Sequence, residues 1–196
     1  MTRDSQKART RRDLVDAART LLATGGVPTV IEVADVAGVS RRTAYRYFTS
    51  AEQLVTEALL EGLRSDVAHE IDAGVPGEDM PARVDRLVKV LHEVTLSNER
   101  LLRQMIRFTI DRGQIEPGVP PRPSRRLEYV DQALAPLRDE LSPTQYERLL
   151  HATAVVIGIE ARLVLQDICG LEDKQIQETE RWAAQALLAA AIRQTT

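Results

Sequence analysis

Thr29 to Gln53 reads TVIEVADVAGVSRRTAYRYFTSAEQ, and the reading of this stretch decides the fold. Thr29 followed three residues on by Glu32 is a capping box, in which each end satisfies a free backbone donor at a helix start. Val30, Val33, Ala34 and Ala37 recur at helical spacing, and the run stops at Gly38, which can take the left-handed backbone of a sharp turn. Val39 then points inward and Ser40 caps a second helix, with Arg41, Arg42, Thr43, Tyr45 and Arg46 on or near it. Small Ala34 and Ala44 let the two helices cross closely. The pattern predicts a helix-turn-helix, whose second helix enters the DNA major groove.

Upstream, residues 1–12 are polar and basic, with Arg3, Lys7, Arg9, Arg11 and Arg12. Two readings stand for them: a frayed terminus, or an arm along the DNA backbone or minor groove. From about Ala8 the spacing predicts a helix with Leu14, Val15, Ala17, Ala18, Leu21 and Leu22 on one face, ended by Gly25 and Gly26. It covers the back of the motif and completes a three-helix domain over residues 1–50.

Downstream, Ser50 and Gln53 repeat the capping-box pattern and open a long helix to about Ile71, a candidate lever. Turn residues from Gly74 to Gly77 precede helices predicted over 81–97 and 98–111. Gly113 to Pro123 holds four prolines and two glycines and reads as a loop. A helix from Ser124 to about Leu141 carries Pro136, which should kink or split it. Ser142-Pro143-Thr144-Gln145 is a strong restart, and the next helix runs to about Ile168, closed by Gly170. That helix is apolar on nearly two faces, and the last, about 172–194, grows apolar all round after Trp182. Helices apolar on more than one face are buried on more than one side. A second copy of the chain is the simplest cover, with Val156, Ile159, Leu163, Ala183, Leu187 and Ala190 at the dimer interface. No strand-like alternation is present, so the fold class is all-α, with nine to ten helices and the remainder of the chain, 51–196, forming a helical bundle.

The formal net charge of −3 hides an asymmetry. Residues 1–50 hold nine Lys/Arg against five Asp/Glu, a balance of +4, and residues 51–196 a balance of −7. A basic head suits phosphates while an acidic body stays off them. One cysteine, Cys169, excludes an internal disulfide framework and fits a reducing compartment. The basic N-terminus lacks the apolar stretch of a signal peptide, and no apolar run reaches the ~20 residues of a membrane span. A cytoplasmic protein with no membrane partner is expected. Enzyme chemistry finds no support: His69, His92 and His151 lie far apart without metal-ligand spacing, Cys169 has no recognisable base, and no glycine-rich phosphate loop occurs. No metal, cofactor or catalytic residue is expected.

The run VADVAGVSRRTAYRYF, with SAEQL after it, closely resembles the tetracycline-repressor (TetR) family of bacterial transcription regulators. The likeness covers about the first quarter of the chain. The remainder is similar in helix order, in ALAPLRD and GIEA, and in the Ala-rich end. The resemblance implies that Arg41, Arg42, Thr43 and Arg46 reach bases or phosphates. It implies also that Tyr45 and Tyr47 contact phosphates or brace the helix, and that the hydroxyl and N–H of Thr29 meet a phosphate. Ser40, Lys7, Arg11 and Arg12 join them as expected DNA-binding residues; arginine's planar fork matches guanine O6 and N7. In one departure, the position where many members carry a phosphate-contacting lysine is Ala51, with acidic Glu52 beside it.

The resemblance further implies that 51–196 binds a small-molecule effector and forms the homodimer. His92, Gln104, Met105, Arg107, Phe108, His151 and Trp182 are the candidate effector contacts. Met105, Phe108 and Trp182 also fit a simple core role. The expected function is a homodimeric repressor, released from a palindromic double-stranded DNA operator by the effector. A ligand-independent regulator or an activator is the alternative.

Overall fold

The computed structural model describes residues 3–74, 77–110 and 125–193, with the side chains of 3–4, 65–66 and 108–110 left aside. Among them it is all-helical. In chain order come α1 (Arg3–Ala23), α2 (Val30–Val36), α3 (Arg41–Tyr47), α4 (Ala51–Gly62), α5 (Arg64–Asp72), α6 (Met80–Ser97) and α7 (Glu99–Ile110). Then follow α8 (Arg125–Leu134), α9 (Pro143–Val156), α10 (Ile159–Leu163) and α11 (Asp173–Arg193). A 3₁₀ turn, Ala135–Arg138, extends α8, and a π-helical turn, Val164–Ile168, extends α10. The loop expected from Gly113 to Pro123 lies outside the described residues. No single helix among them is long and apolar enough to cross a membrane.

Two compact units divide the chain: Met1–Arg64 with Arg103–Gln114, and Ser65–Leu102 with Ile115–Thr196. In the first, α1 packs on α2 and α4, and α2 on α3. Leu14, Ala18, Val33, Ala34, Ala44, Phe48 and Leu54 are wholly buried at its centre. The first unit thus runs past residue 50, because Leu54 and Ala58 of α4 belong to the same core. Helix α1 already begins at Arg3, ahead of the expected Ala8.

In the second unit α6 packs on α8 and α11, while α9 packs on α8 and α11. Leu87, Val130, Leu134, Leu149, Ile176 and Leu188 are among its buried residues. Pro136 splits its helix as expected: α8 stops at Leu134 and the proline sits in the 3₁₀ turn. Ser142 and Gln145 close both halves of a capping box at the start of α9.

Two helices that read as continuous are broken. The run from Ala51 to Ile71 divides at Leu63. The run from Pro143 to Ile168 divides at Ile157 and Gly158, with Gly158 at φ 91°. Arg126 of α8 donates from Nη1 to the carbonyls of Ala154 and Ile157, both at 2.8 Å, and pairs with Glu160. The guanidinium thereby satisfies carbonyls that the end of α9 leaves without helical partners.

Candidate nucleic-acid interface

The helix-turn-helix is built by short-range rules. Thr29 and Glu32 form the complete capping box: the Thr29 hydroxyl accepts from Glu32 N–H at 3.2 Å, and Thr29 N–H donates to the Glu32 carboxylate at 2.7 Å. The Thr29 hydroxyl also donates to that carboxylate, at 2.9 Å. These bonds hold the Glu32 carboxyl below its usual range, the Thr29 backbone contributing most. Gly38 makes the turn at φ 66°, where a side chain would be strained. Ser40 accepts from Thr43 N–H at 3.2 Å, and the two hydroxyls are 2.9 Å apart. Ala44 and Phe48 are buried and seat α3 on the core.

This seating leaves Arg41, Arg42, Tyr45 and Arg46 exposed. They occupy one arc of α3, since residues three and four apart lie on the same helical face. Arg46 lies over the Tyr47 ring at 5.2 Å, and Tyr47 packs half-buried against the core. Ser40 is exposed, Thr43 half-buried, and both serve the cap. The arc offers planar guanidinium donors to base edges and phosphates, the chemistry of major-groove reading.

Two of the expected contacts already have partners within the unit. Both donors of Thr29 are given to Glu32, so the hydroxyl and N–H expected to meet a phosphate already have a carboxylate. Arg11 is not a solvent-facing cation. Its Nε donates to Glu57 Oε1 at 3.0 Å, a second bond reaches Oε2, and the guanidinium lies over the Phe48 ring at 4.6 Å. It binds α1 to α4 inside the unit. Lys7 is half-buried and Arg12 exposed on α1.

Residues 14–58 match the family model described as bacterial regulatory proteins, tetR family. That segment is similar to the N-terminal domain of TetR-family regulators. The matched TetR segment begins within α1 and ends within α4, covering the core of the first unit. Two solved structures, both provisionally assigned to TetR-family regulators, are similar to the chain along its length. The one from Shewanella sp. PV-4 is 22% identical, covers 91% of this chain and 95% of its own, and has a TM-score of 0.39. The one from Mesorhizobium loti is 16% identical, covers 97% and 98%, and has a TM-score of 0.38. No curated protein matches the chain.

The candidate effector residues are dispersed. His92 on α6 is buried, its Nδ1 2.9 Å from Oε2 of Glu180 on α11, itself 2% exposed. Gln104 bonds to α4. Met105 is half-buried and Arg107 exposed on α7, while the Phe108 side chain lies outside the described residues. His151 is exposed on α9. Trp182 is 73% exposed on α11, beside a shallow surface depression with Leu171 and Gln175, not in the core.

His92 belongs to a buried polar cluster of the second unit. Burial pushes the Glu180 carboxyl up, against the opposing pull of His92, the Gly158 N–H and Arg162. Arg162, 2% exposed on α10, donates to Glu99 at 2.8 Å and Asp173 at 2.5 Å. Glu180 sits one position before Arg181 in a polar-looking turn, and only the packing of α6 on α11 shows that it faces inward.

Proposed function

We propose that the chain is a homodimeric transcriptional repressor that holds a palindromic operator and is released by a small-molecule effector. The observation that carries the DNA-binding part is the exposed arc of Arg41, Arg42, Tyr45 and Arg46 on a helix seated by Ala44 and Phe48. A two-fold partner is supported by apolar side chains left in solvent on the second unit: Val155, Val164, Ile168, Trp182 and Ile192. Of the interface residues expected from the sequence, Val156, Leu163, Ala183, Leu187 and Ala190 are half-buried, while Ile159 faces the chain's own core at 3% exposure. The break at Gly158 resets the helical register, which moves the outward stripe to Val164 and Ile168.

Two recognition helices enter successive major grooves about 34–36 Å apart. An effector that binds one head separation better than another shifts the balance between them, and with it operator affinity. Selection of bound duplexes from a random pool tests the reading. A palindrome with half-sites one helical turn apart is expected, and a single unpaired half-site would refute the dimeric mode. A compound that saturates the protein without changing operator affinity is not its inducer.

A further inference from the structure

Helix α4 follows the recognition helix after only three residues, Phe48 to Ser50, and its first turn fixes that link. The Gln53 side chain, 8% exposed, accepts from Thr49 N–H at 3.2 Å and from the Thr49 hydroxyl at 3.3 Å. Ser50 accepts from Gln53 N–H at 3.2 Å. Whatever places this turn therefore places the end of α3. On one side α4 is fastened by Arg11 of α1 through Glu57. A second fastening comes from α7, far outside the segment that matches the family model. Gln104 donates from Nε2 to Glu52 Oε1 at 3.2 Å, and its Oε1 accepts from the Thr56 hydroxyl at 3.4 Å.

Glu52 and Thr56 are four residues apart on one face of α4, so a single amide spans the first turn. Thr56 is 3% exposed, and a buried hydroxyl is costly without a partner. Glu52 suits the positive end of a helix, yet it stands close in sequence to the DNA-reading residues, where phosphates repel it. The amide of Gln104 gives this carboxylate a donor on the side of α4 that meets α7.

We propose that Gln104 is a positioning residue for DNA binding, setting the first turn of α4 and through it the placement of the α3 recognition helix. It rests on the DNA-binding reading above. The DNA-reading unit is then completed by a residue some fifty positions downstream of α4, consistent with the inclusion of 103–114 in that compact unit. Side-chain amide chemistry, not bulk, is what the position requires.

The test uses the full chain and a fluorescein-labelled duplex recovered by wild-type selection from a random pool. Gln104→Leu keeps the volume and removes both bonds; the affinity of the folded protein is expected to fall on the order of tenfold, with the melting temperature lowered by only a few degrees. Amide exchange should quicken in Arg41–Tyr47 and in the first turn of α4. Gln104→Glu sets two carboxylates together and should weaken binding further. The exchanged pair Glu52→Gln with Gln104→Glu reverses the bond between the two helices and keeps an acceptor for the Thr56 hydroxyl, and affinity should return to within about threefold of wild type. Wild-type affinity and exchange in Gln104→Leu would overturn the proposal, as would a loss that the exchanged pair does not repair. Should the wild type enrich no DNA, the proposed function fails, and the exchange rates of the same variants decide whether Gln104 holds α4 and α3.

Discussion

At the scale of single residues, two arginines of the first unit have opposite tasks. Arg42 is exposed on α3 and supports little of the fold, so Arg42→Ala should weaken binding to the selected duplex by about 1–3 kcal/mol and relax preference at one base pair. Thermal melting should stay as in the wild type; a large drop would make Arg42 a structural residue. Arg11 is the reverse. Its ion pair with Glu57 has side chains 24% and 12% exposed, and its guanidinium stacks on Phe48. Arg11→Met should cost about 1–3 kcal/mol in denaturant unfolding, because Glu57 keeps a partly buried charge without its donor. Its effect on DNA affinity should vanish once the folded fraction is taken into account. Glu180 supplies a pH signature. Burial raises its carboxyl above the ordinary 4.5, so the folded chain keeps that proton to higher pH than the unfolded chain does. The contribution to stability is full below the unfolded value and is lost as pH rises through the folded one. Measured by denaturant between about pH 4 and about pH 8, wild type should lose stability relative to Glu180→Gln as pH rises. The opposite slope would mean that His92 and Arg162 outweigh burial.

At the scale of helices, what could be read from sequence follows the range of the forces involved. The caps at Thr29, Ser40, Ser50 and Ser142, the turn at Gly38 and the split at Pro136 are decided within a few residues, and the structure has each of them. The breaks at Leu63 and Ile157–Gly158 interrupt runs whose apolar spacing continues through them. The α9 break is met from another helix, by Arg126 of α8, which donates to the carbonyls of Ala154 and Ile157 and pairs with Glu160. The same limit separates the two parts of the site. The α3 arc was legible because capping, turn and helix phase lie in one short stretch. The bonds of Arg11 and Gln104 to α4 were not, because their partners are 46 to 52 residues away. Gly158 gives a direct check. At φ 91° any side chain is strained, and a Cβ there would meet the Arg126 guanidinium at 3.3 Å, displacing the group that caps α9. Gly158→Ala should therefore destabilise the chain by about 1–3 kcal/mol in denaturant unfolding. An unchanged midpoint would show that the break is not held in this geometry.

For the whole molecule, the proposed two-fold axis is what links the outward apolar residues to the DNA arc. A single α3 reads a few base pairs, and most of a lone reader's affinity is phosphate attraction with little preference for sequence. The charge balance of +4 over residues 1–50 includes Arg11, whose charge is met by Glu57, so the cations available to DNA are fewer than composition suggests. In the proposed dimer, specificity comes from the second copy. Val155, Ile168 and Trp182 are 71%, 78% and 73% exposed, more than isolated surface hydrophobics require, and lie on helices that pack together through α9 and α11. A charge at the centre of such a face is costly to bury without a partner, so Ile168→Glu should convert the dimer to a monomer in sedimentation velocity. The residue contributes little to the chain's own core, and the helical content of the monomer should remain. Affinity for the palindromic duplex should drop at least about a hundredfold, toward that for a half-site, because the linked second contact is lost. If Ile168→Glu stays dimeric and binds as before, the two-fold axis lies on another face.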